Sequence, residues 1–228
     1  SSLDPAMVTE TSAQHVLDDL FEGLANLSPE GHTVPGVARS WETSTDGLTW
    51  VFHLRHDARW SNGAPLTAAD FVYAWRRTVD PLTAAPYAQA VAPVLNAYEI
   101  ASGKRPVSDL GAEALDAHTL RVRLSEPTPY LPFLMTNAWM YPLYRPIIEQ
   151  YGDAWARPGR MVSNGAYTLL EHVIGNRLTM ERNPQYWDAA NVRLRRVIYY
   201  VLTDRNAQSQ RYLAGQVHKI SVYPELYF

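Results

Sequence analysis

The stretch Leu48–Thr78, LTWVFHLRHDARWSNGAPLTAADFVYAWRRT, decides the fold class because it reads as a strand, a tight turn and a capped helix in succession. Leu48, Trp50, Phe52 and Leu54 share one side of an extended chain, and Thr49, Val51, His53 and Arg55 share the other, the alternation of a half-buried strand. Ser61-Asn62-Gly63 supplies turn chemistry, since Asn and Gly tolerate the positive φ that other residues resist. After Pro65, Thr67 is placed to cap a helix, Asp70 to reach back to it, and Leu66 to pack on Phe71, a capping box with a hydrophobic staple. Phe71, Val72, Trp75 and Val79 form the apolar stripe of that helix.

Upstream, Ser2-Leu3-Asp4-Pro5 is an extended entry, and Thr11 with Gln14 predicts a second capping box ahead of Val16, Leu17, Leu20, Phe21 and Leu24 at helical spacing. Downstream, the chain from Asp80 to Arg105 is helical but broken by Pro81, Pro86 and Pro93. An Asp116-Ala117-His118 turn precedes a second alternating strand, Leu120, Val122 and Leu124. Pro127, Pro129 and Pro132 predict an extended loop that leaves Tyr130, Phe133 and Leu134 available for burial. Ile147, Ile148, Tyr151 and Trp155 fit one face of a helix ended by Arg157-Pro158-Gly159. Thr168–Val173 and Leu178–Arg182 form a hairpin across Gly175-Asn176, and Asp204 caps a helix running through Tyr212-Leu213 to Gly215.

With 228 residues, 46% hydrophobic and 19% charged, the composition is that of a globular protein of one or two domains. A formal net charge of −3 and the lack of a basic cluster argue against nucleic acid, whose phosphates demand a positive face. Arg193, Arg195 and Arg196 are interrupted by Leu194 and lead into strand-like Val197–Val201, a solvated strand edge. The sequence has no cysteine, which excludes disulfides, iron–sulfur clusters, thiol nucleophiles and thiolate zinc sites. No apolar run is long enough to span a membrane. The 14 Tyr and 7 Trp suit a wet binding cleft and a large mixed core equally well.

Catalytic patterns fail on geometry. His53 and His56, three apart on an extended segment, lie on opposite faces and cannot chelate one metal together. Met161-Val162-Ser163-Asn164-Gly165 lacks the first glycine of a nucleophile elbow. Asp18 and Asp19 are adjacent on a helix and diverge, and Gly23-Leu24-Ala25-Asn26-Leu27 makes no phosphate loop. The residues therefore predict no catalytic site, no metal site and no cofactor.

Trp60-Ser61-Asn62-Gly63-Ala64-Pro65-Leu66-Thr67-Ala68-Ala69-Asp70, preceded by Phe52-His53-Leu54-Arg55, resembles the signature of the oligopeptide- and dipeptide-binding proteins that feed bacterial ABC importers. The family usually has Asp where this chain has Asn62. Leu20-Phe21-Glu22-Gly23-Leu24, Pro35-Gly36-Val37-Ala38, Ser40-Trp41-Glu42, Asn164-Gly165-Ala166-Tyr167 and Asn183-Pro184-Gln185-Tyr186-Trp187 resemble further family segments in order. The resemblance runs from Leu3 to about Val217. It breaks at Gly215-Gln216-Val217-His218, where Gly-x-x-Asp is usual, and Lys219–Phe228 follows no family pattern.

The resemblance implies an α/β periplasmic-binding-protein type II fold of cluster C: one lobe plus an extra domain, the second ligand-binding lobe missing. Residues 1–22 and 147–228 would form the discontinuous, incomplete first lobe, and 23–146 the extra domain. It implies capture of peptides for import through backbone hydrogen bonds in an interlobe cleft, weak or absent in so short a chain. The implied partners are a peptide, the membrane permease and the ATPase subunits of the importer. The implied location is periplasmic, or extracytoplasmic and membrane-anchored, with the export signal outside this chain. By carry-over, Thr9, Glu10 and Thr11 would pair with ligand backbone, and Tyr87 would face the cleft. Read from the residues alone, the first three are equally a plain loop and Tyr87 a tyrosine packed at a helix start. A receptor of the same fold for a nickel complex, haem, an opine or a sugar stays open, as does an interaction protein that associates with itself through exposed lobe surface.

Overall fold

A computed structural model describes residues 2–202 and 204–220. The elements in chain order begin with α1 (Thr11–Leu20), β1 (Ala25–Leu27), β2 (Thr33–Pro35), β3 (Ala38–Thr43) and β4 (Thr49–Leu54). Next come α2 (Ala68–Val79), α3 (Ala97–Ala101), β5 (Ala112–Asp116), β6 (Thr119–Arg123), α4 (Leu131–Leu134) and α5 (Arg145–Tyr151). The described part ends with β7 (Tyr167–Val173), β8 (Arg177–Arg182), β9 (Arg196–Tyr200) and α6 (Arg205–Leu213). The strands form a β1-β2 ribbon, a four-stranded sheet in the order β3-β4-β6-β5 and a three-stranded sheet β7-β8-β9, antiparallel throughout.

The four-stranded sheet is built on the alternation in β4. Trp50, Phe52 and Leu54 are buried, and Phe52 and Trp50 lie opposite Leu120 and Val122 of β6, also buried. The helix after the turn packs its Phe71, Val72, Trp75 and Val79 stripe into the same core, lying against β5 and β6. Between them, the Asn62 side-chain oxygen accepts from Ala64 N–H at 3.0 Å and Gly63 adopts φ +87°. Asp70 reaches back to the Thr67 N–H at 2.7 Å, while the Thr67 hydroxyl and the Trp60 indole also donate to its carboxylate. Burial pushes the Asp70 carboxyl up, against the lowering effect of these donors.

The second sheet also follows its pattern. β7 and β8 pair from Tyr167↔Arg182 to Val173↔Arg177, with Gly175 at φ +71° in the turn and a bulge at Leu170. β9 is an edge strand, in keeping with the arginine run that leads into it, and Arg196 bonds Glu181 across the pair at 2.7 Å. The Asp204 carboxylate caps α6 by accepting from Ala207 N–H at 2.8 Å.

Three local expectations are overturned. α1 is capped by Glu10, whose carbonyl accepts from Ala13 and Gln14, and no side chain caps it. The chain enters the helix one residue earlier than the Thr11 hydroxyl pattern demands, so Thr11 is already helical and the Thr11–Gln14 box does not form. The proline-rich segment turns into α4, burying Leu131 and Pro132 and leaving Tyr130 and Phe133 about half exposed. Proline in the first turn of a helix lacks only an N–H that would have no partner there, so Pro132 starts the helix that a proline count seemed to forbid. α5 stops at Tyr151, because Gly152 turns to φ +50°, and Trp155 reaches the core from the segment beyond.

Asn164-Gly165 joins the end of α1 to the start of the second sheet. The Asn164 side chain brackets Glu22, accepting from its N–H at 3.1 Å and donating to its carbonyl at 2.9 Å. Gly165 donates to the Leu20 carbonyl and accepts from Asn183 Nδ2, both at 2.9 Å. A Cβ on Gly165 would lie 2.6 Å from backbone atoms of Leu20 and Phe21, so only glycine allows the approach.

Candidate functional site

The site is built from the first turn of the chain. Asp4, almost fully buried, accepts two bonds from the Arg77 guanidinium, at 3.1 and 2.6 Å, and one from the Trp155 indole at 3.2 Å. Those contacts, with the Asp4 cap on Ala6 N–H at 3.0 Å, fix the short turn Pro5–Met7 against α2. Val8 is buried beyond it, and its carbonyl accepts from the Trp139 indole at 3.2 Å. Thr9, Glu10 and Thr11 then emerge exposed at the entry to α1, Thr11 being its first residue.

Trp139 links the two parts of the chain that carry the expected ligand residues. Its ring packs against that of Tyr87 with centroids 4.9 Å apart at 44°. It sits in the turn Ala138–Met140, whose carbonyl at Met140 is held by the Trp75 indole at 2.9 Å. Tyr87 is thus half-buried beside Trp139, and Thr9–Thr11 leave the residue that Trp139 holds. Nothing in the spacing around Asn137-Ala138-Trp139-Met140 singles out Trp139; only the abundance of tryptophan hints at it.

The Glu10 carbonyl is taken by the cap of α1, but most of the other backbone groups of this exposed segment are unpaired. Among the described residues, no hydrogen bond engages the N–H of Thr9, Glu10 or Thr11, or the carbonyl of Thr9. Extended backbone with unpaired donors and acceptors is what a peptide adds to when it pairs as a strand.

Behind the segment, α1 carries two acidic groups, of which Asp19 meets the second sheet. Asp18 accepts from the Tyr141 hydroxyl and Asp19 from the Tyr199 hydroxyl, each at 2.9 Å. The two carboxylates thus diverge to different partners, and burial raises both. At the end of the helix, Glu22 accepts from Tyr186 and Trp187 at 2.6 Å and from Asn26 at 2.7 Å. Arg55 stacks over Trp187 at 3.6 Å. Burial is the largest influence on Glu22 and raises its pKa despite the three donors. His53 pairs with Glu42 at 3.3 Å.

Residues 32–227 match the family model described as bacterial extracellular solute-binding proteins, family 5 Middle. The chain is 43% identical over 218 residues to the periplasmic oligopeptide-binding protein OppA of Escherichia coli, covering 95% of this chain and 40% of that protein. It is 40% identical over 218 residues to the probable deoxycholate-binding periplasmic protein YgiS of Escherichia coli, covering 95% and 41%. The solved structure of Haemophilus influenzae OppA in complex with RPPGFSPFR superposes with a TM-score of 0.93 at 42% identity, covering 95% of this chain and 42% of that one. The chain therefore spans about two fifths of the length of these relatives and has the fold of the matching part of a type II periplasmic binding protein. By family model, identity and superposition together, it belongs to the bacterial extracellular solute-binding proteins, family 5.

Proposed function

We propose that this chain supplies one wall of a peptide-binding cleft in the solute-binding component of an ABC importer. The observation that carries the reading is the set of exposed, unpaired N–H groups of Thr9, Glu10 and Thr11 with the Thr9 carbonyl, anchored at Val8 by Trp139 and flanked through it by Tyr87. An extended peptide would pair with that backbone, and Tyr87 would line the cleft. No bond is broken. The permease and ATPase subunits of the importer are the implied partners, and the relatives' periplasmic names support an extracytoplasmic location. Among the described residues no helix is long and apolar enough to cross a membrane.

The division into a lobe of residues 1–22 and 147–228 and an extra domain of 23–146 is supported by the sheets. The β7-β8-β9 sheet contacts α1, whereas the β3-β4-β6-β5 sheet carries α2. Residues 221–228 lie outside the described part. One hydrophobic cluster runs through both units, from Leu3 to Met180, so they share a core. A single wall offers about half the backbone bonds of a closed cleft, each worth roughly 0.5–1.5 kcal/mol net, so binding by this chain alone is weak.

Weak binding calls for a covalent readout. RPPGFSPFR carrying a benzophenone is irradiated with the chain at high micromolar concentration, and adducts are mapped by mass spectrometry. Adducts at residues 9–11, Tyr87 and Trp139 are expected, competed by unlabelled peptide. Adducts confined to other surfaces, or none that the peptide competes, defeat the reading.

A second reading, self-association, rests on the outer face of the β7-β8-β9 sheet. Leu170, Ile198 and Tyr200 are each more than two fifths exposed there, over a groove of about 520 Å³ crossed by Arg177 and Arg196. Light scattering tests it: a monomer at high micromolar concentration removes this reading.

A further inference from the structure

Along the chain His56 has no partner for a metal, because His53, its neighbour in sequence, faces the other way. The fold gives His56 a different companion. Its ring lies against that of His118, with centroids 4.1 Å apart at an interplanar angle of 41°. Both backbones are anchored. His118 donates its N–H to Asp116 Oδ1 and accepts from Leu54 N–H, both at 2.7 Å, and the neighbouring Ala117 carbonyl accepts from Ala68 N–H at 2.9 Å. The His56 carbonyl accepts from Arg59 at 3.0 Å. The pair therefore sits at the rim of the four-stranded sheet, one ring just beyond β4 and the other in the β5–β6 turn.

Among the described residues, no hydrogen bond engages a ring nitrogen of either histidine, in contrast to His53, whose Nε2 meets Glu42. His56 is exposed and His118 half-buried, so the nitrogens are open to solvent solutes. We propose that His56 and His118 form a two-ligand site for a divalent transition metal of the imidazole-preferring kind, copper, nickel or zinc. Such ions bind neutral imidazole nitrogen at about 2.0–2.1 Å, so two nitrogens on one ion stand about 3.4 Å apart at a tetrahedral angle. Rings already 4.1 Å apart at their centroids reach that arrangement by small rotations about both the Cα–Cβ and Cβ–Cγ bonds, which swing the rings apart and aim one nitrogen of each at a common point. No cluster of three or more His, Asp or Glu suited to a metal exists among the described residues, so water completes the coordination. A site of two imidazoles without a thiolate follows the general order of affinity, copper above nickel and zinc.

The site is independent of the proposed peptide cleft. The test is calorimetric titration of the whole chain with Cu²⁺, Ni²⁺ and Zn²⁺ separately, beside His56→Ala, His118→Ala and His53→Ala, each checked for an unchanged far-ultraviolet circular dichroism spectrum. One saturable copper site is expected, weakened at least about tenfold by either His56→Ala or His118→Ala and unchanged by His53→Ala. If His118→Ala fails to fold, His118→Gln with its spectrum checked takes its place. The proposal is overturned by the absence of saturable binding, by binding that survives loss of either ring, or by equal loss in His53→Ala.

Discussion

The Trp139 indole N–H donates to the Val8 carbonyl at 3.2 Å, across 131 residues of chain, and so ties the turn Ala138–Met140 to the start of the exposed segment. Trp139→Phe keeps an aromatic ring against Tyr87 while removing the donor and part of the indole's volume. It should cost at least about 1 kcal/mol, the net worth of one hydrogen bond. Amide hydrogen exchange over residues 9–14 should accelerate at the same time. Unchanged exchange would mean that Val8 is held by its own burial and by the Asp4 anchor alone.

Asp4 and Arg77 form a pair in which both side chains are largely removed from water, 7% and 16% exposed. Removing one partner from a buried pair strands the other charge and typically costs about 3–5 kcal/mol. Asp4→Ala should therefore destabilise strongly, and it also takes the acceptor from the Trp155 indole. Arg77→Ala in the Asp4→Ala background should cost far less than in the parent. A double-mutant cycle by urea denaturation reads this directly, and additive single costs would show that the pair is not coupled.

Legibility in the sequence follows the range of the interactions. Strand β4, the turn at Asn62-Gly63 and helix α2 are readable because their determinants lie two, three or four residues apart. The same holds for the β7–β8 hairpin and the Asp204 cap. The start of α1 falls one residue from its sequence signal because Thr11 competes with Glu10, whose carbonyl does the capping without any side-chain signature. The path of the 127–132 segment departs from expectation because proline both prevents a helix and starts one, depending on position. Thr9, Glu10, Thr11 and Tyr87 come from family resemblance alone, and the structure connects them through Trp139. Trp139, the Glu22 network and the His56–His118 contact are illegible, because each joins residues far apart in the chain; the Tyr186–Glu22 bond spans 164 positions.

Gly165 and Gly175 make a contrasting pair. A Cβ at Gly165 would meet Leu20, Phe21 and Asp19 backbone atoms at 2.6–2.7 Å, and backbone at the centre of the molecule cannot yield as a flexible side chain does. Overpacking a rigid site costs about 1–3 kcal/mol and sometimes more, so Gly165→Ala should lie at or above that range. Gly175 has φ +71° in an open hairpin turn, with nothing within 4 Å of where a Cβ would stand, and Asn tolerates that conformation. Gly175→Asn should therefore shift the thermal midpoint by far less than Gly165→Ala, and equal shifts would remove the packing argument.

Glu22 gives a pH dependence with a definite sign. Burial raises its carboxyl above the ordinary value of 4.5, so the folded state holds the proton more tightly than the unfolded chain does. Stability from this group is fully present below the unfolded value and is lost as pH rises through the folded one, because in that window the folded state binds more protons. Asp18, Asp19 and Asp70, also raised by burial, act in the same direction. Glu22→Gln removes the titration while leaving a nitrogen facing the Tyr186 or Trp187 donor. The unsatisfied contact should cost about 1–3 kcal/mol. The parent's advantage over Glu22→Gln should therefore be greatest below pH 4.5 and should narrow as pH rises through the folded value, since only the parent loses the protonation contribution. Urea midpoints of the two proteins measured across that range decide it: a gap that is constant or widens with pH would mean that the three donors outweigh burial at Glu22.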